Sequence, residues 1–82
     1  MADGFPAWYR AYGDGVNIRT RPDPGATSVG QLQTDDRVLV TSLPVTGGAY
    51  GAQCGSQPGD QWYPVDHFGQ RRYVITACLE RV

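Results

Sequence analysis

Val16-Asn17-Ile18-Arg19-Thr20, followed by Arg21-Pro22-Asp23-Pro24-Gly25, decides how this chain is read. Val16 and Ile18 alternate with Asn17 and Arg19. A period of two puts both apolar side chains on one face of a strand and both polar ones on the other. Two prolines and a glycine within the next five residues then end that strand. Proline fixes φ and lacks an N–H, and glycine accepts backbone conformations that other residues avoid. A short strand closed by a turn is the unit from which the rest can be worked out.

Downstream the unit recurs. Val29-Gly30-Gln31-Leu32 reads as a short strand, and Thr34-Asp35-Asp36 as a tight turn. Arg37-Val38-Leu39-Val40-Thr41-Ser42 is a strand with Val38 and Val40 inward. Pro44 to Gln61 is the longest irregular stretch and holds Gly47, Gly48, Gly51, Gly55 and Gly59. Gln61-Trp62-Tyr63-Pro64-Val65 and Arg71-Arg72-Tyr73-Val74-Ile75 form a hairpin, joined by Asp66-His67-Phe68-Gly69-Gln70. Pro64 cannot donate a ladder hydrogen bond, which predicts an edge or a bulge there. Thr76 to Val82 reads as one 3₁₀ turn and a last short strand. Upstream, Ala7-Trp8-Tyr9-Arg10-Ala11-Tyr12 is the best helical candidate, and it is too short to stand alone. Five to six short strands at intervals of about ten residues predict an all-β fold, a small barrel or sandwich.

Composition agrees. Gly and Pro supply 17 of 82 residues, which suits many turns and short strands. The chain is long enough for one domain with one small core. Burying about 8,000 Å² is worth about 120 kcal/mol if about 60% of it is apolar, and ordering the chain costs about the same. Any cross-link therefore matters. The net charge of −1 leaves no basic patch, so no nucleic-acid partner is expected. No run approaches the ~20 apolar residues of a membrane span. Met1-Ala2-Asp3-Gly4-Phe5-Pro6 lacks a basic segment followed by an apolar one, so no signal peptide is read. The protein then stays inside, leaves without a signal as a virion part would, or is a mature domain with a start Met attached.

Catalysis finds little support. His67 is the only histidine and falls in the expected hairpin turn. A Cys–His nucleophile pair would need Cys54 or Cys78 beside it and an orienting group such as Asp60 or Asp66. The spacings of Cys54, His67 and Cys78 match no compact zinc pattern, and no metal or cofactor is expected. Asp35 and Asp36 are adjacent in a turn and point apart. Cys54 and Cys78 enclose about two dozen residues. They are either a disulfide, worth about 3.5 kcal/mol by loop entropy, or two buried thiols.

Five blocks, in order, resemble the bacterial SH3 (SH3b) domains, in a form associated with actinobacterial members. They are Asp14-Gly15-Val16-Asn17-Ile18-Arg19-Thr20-Arg21-Pro22, Val29-Gly30-Gln31-Leu32, Thr34-Asp35-Asp36-Arg37-Val38-Leu39-Val40, Trp62-Tyr63-Pro64-Val65, and Arg72-Tyr73-Val74 with Ala77-Cys78-Leu79. Asp35 stands where Gly is usual in that pattern, Tyr73 where Trp is usual, and Cys78 where Tyr is usual. The stretch from 44 to 61 is longer than typical. The resemblance covers residues 14–82 and sets apart an aromatic-rich extension over residues 1–13. It implies a small SH3-like, partly open β-barrel with one 3₁₀ turn near the C-terminus. It also implies a habit of binding, to peptidoglycan or its peptides, or to other proteins.

Two groups of residues are candidates for that binding. Tyr50, Trp62, Tyr63 and Tyr73 offer flat apolar area with a polar tip, which suits sugar rings and peptide backbones. Tyr50 and Tyr63 are expected to be exposed; Trp62 serves either core or groove. Asn17, Arg19 and Arg21 lie on the polar side of the first strand and its turn, and Arg can grip a carboxylate with two hydrogen bonds. Phe5, Trp8, Tyr9 and Tyr12 either pack across the barrel end or anchor a partner chain. The reading is a non-enzymatic binding module for cell-wall peptidoglycan or peptide, extracellular or wall-bound if it is a secreted fragment. The alternative is a structural docking subunit, such as a phage capsid or tail component located in the virion.

Overall fold

The computed structural model describes residues 4–82. Met1, Ala2 and Asp3, on which the leader reading partly rests, lie outside them. Eight strands form: β1 Ala7–Ala11, β2 Val16–Arg19, β3 Ser28–Leu32, β4 Arg37–Val40, β5 Val45–Tyr50, β6 Gly59–His67, β7 Gln70–Ile75 and β8 Leu79–Arg81. One 3₁₀ turn, Thr76–Cys78, precedes β8. The strands make a single antiparallel sheet in the order β3-β2-β7-β6-β4-β1-β8, with β5 pairing β6 off that path. This is the expected all-β, SH3-like class, with eight strands where five or six were read.

The first added strand is the helical candidate. Trp8 and Arg10 are exposed while Tyr9 and Ala11 are buried, a strand's period of two. So short a segment gains little from helical hydrogen bonds, whereas β4 and β8 flank it and pair with it on both edges. The sheet thus includes residues upstream of 14.

The second is β5, in the stretch read as irregular. Gly47 and Gly48 suggested a loop; here they permit close packing. A Cβ on Gly48 would stand 2.7 Å from Pro24 Cδ, and one on Gly47 2.8 Å from Trp62 Cδ1. The backbone of β5 therefore lies directly on the first turn and on the indole. Gly48 N–H donates to Pro22 O at 2.8 Å, and Gly48 O accepts from Trp62 Nε1 at 3.0 Å. Residues 51–58 remain irregular, and a disulfide between Cys54 and Cys78 ties them to the 3₁₀ turn.

Pro64 needs neither an edge nor a bulge on the β7 side, where it pairs with Tyr73. Its carbonyl accepts from Thr41 N–H at 2.9 Å, so its nitrogen also points away from β7. On that side β5 reaches only Trp62, and β4 begins only at Val65. The missing donor falls at the seam between two partners.

The core lies between the inward faces. Val40, Val65 and Val74 are fully buried, and Trp62 is 1% exposed. Tyr50 meets the Trp62 indole edge-on, with centroids 5.7 Å apart. Asp35 has φ +72°, the left-handed conformation that explains why Gly is usual in the resembled pattern. Asp14 joins the neighbouring loops, accepting from Thr34 N–H at 2.9 Å and Thr34 Oγ1 at 2.8 Å. Those two donors hold its carboxyl below the usual range.

Candidate binding surface

The structure divides the nominated ligand residues among four places. Tyr50, Trp62, Asn17 and Arg19 do converge, with Pro24, Gln53 and Ile75, around a cavity of about 30 Å³. That holds about one water and no ring. Tyr50, expected outside, is 7% exposed, because β5 carries it over the indole. Its hydroxyl donates to Gln61 O at 3.1 Å. Arg19 Nη1 donates to Ala26 O at 2.7 Å and so clasps the first turn. Asn17 Oδ1 accepts from Ser28 Oγ and Gln31 Nε2. Each of these polar groups already has an intramolecular partner.

Tyr63 faces the other side of β6 and is half-buried against Tyr9, with centroids 4.8 Å apart. Burial, helped by a hydrogen bond with Tyr9, pushes its hydroxyl up to about 12. Tyr73 is half-buried on β7 across from Pro64 and Arg19. Arg21 is exposed on the first turn. These seven side chains therefore line no common groove.

The N-terminal aromatics also part company. Tyr9 is in the core, and Phe5 stacks on it with centroids 6.4 Å apart, while the Arg81 guanidinium lies 5.7 Å from the centre of the Phe5 ring. Arg81 Nη2 also donates to Gly4 O at 2.9 Å. The Tyr12 hydroxyl donates to Ala77 O. Three of the four thus pack on their own chain. Trp8 is 56% exposed.

Trp8 belongs to a row that the sequence reading missed. Trp8 pairs with Leu39, Leu39 with Asp66, and Asp66 with Arg71. The four cross β1, β4, β6 and β7 on the outer face, a span of about 14 Å at the usual strand spacing. A concavity lies on each side of the Leu39–Asp66 ridge. One, of about 440 Å³, is lined by Pro6, Leu39, Thr41, Val65, Asp66 and Arg71. The other, of about 340 Å³, lies between the diverging strands β3 and β4, among Trp8, Leu39, Leu32, His67 and Phe68. Both volumes fall in the range of small-ligand sites.

Charge marks the first concavity. Its floor is apolar, and its rim carries one carboxylate and one guanidinium. Asp66 and Arg71 are both exposed, and among the described residues neither forms an ion pair. The ion pairs instead join Arg10 to Asp35 and Glu80 on another part of the surface. Among the described residues no three His, Cys, Asp or Glu side chains gather as metal ligands would. Two signals could have found this face. Leu39 alternates outward between Val38 and Val40. Asp66 and Arg71 are also symmetric about a two-residue turn, Phe68-Gly69, once that turn is recognised.

Comparison with known proteins bears on residues 14–80, which match the family model described as bacterial SH3 domain. No curated protein and no solved structure gives a significant match.

Proposed function

This chain belongs to the bacterial SH3 domain family, and from that membership we propose that it is a non-enzymatic module that recognises the peptide part of the cell wall. The groove beside Asp66 and Arg71 carries this reading. Its apolar floor of Pro6, Leu39 and Val65 can take a small aliphatic side chain, while the rim offers a partner to an amine and to a carboxylate. A short peptide with free charged ends has all three features. A glycan strand would call instead for an aromatic platform; Tyr50 and Trp62 are committed to the core, and the exposed Trp8 and Phe68 border the other cleft. The Cys54–Cys78 bridge supports an oxidising, extracytoplasmic setting. A docking role on another protein, as in a virion, is the second reading, favoured by the protruding Phe68 described below.

The test is co-sedimentation with insoluble peptidoglycan, paired with calorimetric titration of isolated stem peptides. Arg71→Ala and Asp66→Ala should each weaken both signals about tenfold or more, as loss of a hot-spot contact does. Binding that survives both changes in folded protein places the ligand elsewhere. Absence of binding to either material overturns the wall reading.

A further inference from the structure

Phe68 is the anomaly of the surface. It is 92% exposed, the most exposed of the large apolar side chains among the described residues. It also occupies the first central position of the β6–β7 turn with φ +52°, and Gly69 follows at +78°. Two positive φ values make a type I′ turn, whose first position suits Asn, Asp or Gly. An aromatic there costs conformational energy and leaves a ring in water. The ring is not loose, because it lies against His67, with centroids 4.5 Å apart. His67 is itself set over Gly30 of β3, where a Cβ would come within 3.5 Å of Nε2. The hairpin thus presents a fixed phenyl knob.

Beside the knob is a hole. The 340 Å³ cleft between β3 and β4 has Trp8, Ile18, Leu32 and Leu39 on its walls. Phe68 stands at its rim and leaves it unfilled, as its exposure requires. A benzene ring needs about 150 Å³, and this open cleft, lined by apolar and polar side chains alike, offers more. The same patch carries charge of both signs, from Arg37 and from Asp36 and Asp66, and among the described residues none of the three is ion-paired. A patch with a knob, a cleft large enough to take it and charges of both signs has the elements of self-complementarity. That is the requirement of a two-fold interface, in which one surface meets its own copy.

We infer that this chain pairs with a second copy of itself, each Phe68 entering the Trp8–Leu39 cleft of the other. Arg37 and Asp66 then face each other across the two-fold axis. The inference concerns the cleft on the Phe68 side of the Leu39–Asp66 ridge; Leu39 and Asp66 border the peptide groove as well, so a dimer would compete with peptide for them, and self-association without peptide is what separates the two readings.

Sedimentation velocity on the oxidised wild-type protein, over a range of concentrations, should show a monomer–dimer equilibrium. Phe68→Asn removes the knob and suits the turn, so it should stay folded and weaken dimerisation at least about tenfold. Leu39→Arg blocks the hole and should do the same. Mixing the two variants is the decisive arm. The Leu39→Arg chain keeps its knob and the Phe68→Asn chain keeps its hole, so together they rebuild one of the two contacts. The mixture should form heterodimers more readily than either variant self-associates. A wild-type protein that stays monomeric at every concentration overturns the inference. So does a Phe68→Asn protein that dimerises as well as wild type, or a mixture no more associated than its parts.

Discussion

The two ends of β6 treat their aromatics in opposite ways. At its start Trp62 is 1% exposed, roofed by β5 and hydrogen-bonded through its indole to Gly48. Just past its end, Phe68 is 92% exposed with no strand over it. Trp62 and Phe68 lie six residues apart on one hairpin, so local sequence does not separate them. What separates them is a covering strand, drawn from a distant glycine-containing segment. The aromatics of a small barrel therefore divide by long-range topology into those that hold the fold and those left for contact.

That contrast can be broken first at the buried end. Trp62→Ala should destabilise the protein by about 3–5 kcal/mol, enough to unfold a domain of this size, because it empties the centre of the core. Chemical denaturation measures it, and a loss below about 1 kcal/mol would mean that β5 does not cover the indole.

The disulfide is the next largest effect. Cys54→Ser should cost about 3.5 kcal/mol under oxidising conditions, from the loop-closure entropy of a separation of 24 residues. Reduced wild type should match the variant, and the variant should ignore reductant. Thermal melts with and without reductant check both.

Tyr50→Phe tests the roof more gently. It removes the hydroxyl that donates to Gln61 O and leaves the edge-on ring contact in place. A loss of about 1 kcal/mol is expected. At the exposed end the sign reverses. Phe68→Asn should stabilise the monomer by about 1 kcal/mol, since it relieves a side chain held at positive φ. Equal destabilisation at both ends would erase the contrast.

Tyr63 adds a pH dependence between the two ends. Its hydroxyl, raised from 10 to about 12, stays protonated in the folded chain where the unfolded chain has begun to ionise. Above pH 10 the unfolded state therefore holds fewer protons. Its contribution to stability is complete below pH 10 and is lost as pH climbs through about 12. Tyr63→Phe should flatten that part of an alkaline stability profile.

The fold was legible because its signals are local. Alternation in Val16–Arg19 and Arg37–Val40, the Trp62–Ile75 hairpin, and the five blocks in register all survive without knowledge of neighbours. β1 and β5 were not read as strands because their identity depends on their partners. Nothing within Val45–Tyr50 reveals that Gly47 must pass close to Pro22 and Trp62. The site was less legible for the same reason. Residue type nominated Tyr and Trp, but residue type does not tell a core aromatic from a platform. Burial turned Tyr50 inward, while cross-strand register brought together Leu39, Asp66 and Arg71, which are ordinary as single residues.

β1 and β8 lie side by side, with Val82 N–H donating to Trp8 O at 3.1 Å and Arg81 reaching Gly4. The first and last described residues thus lie at one place on the barrel. A module built this way can be spliced into a surface loop of a host protein, since entry and exit need no span between them. Tethering the ends with a short linker and opening the backbone near Gly51 would yield a circular permutant that keeps every ladder described here.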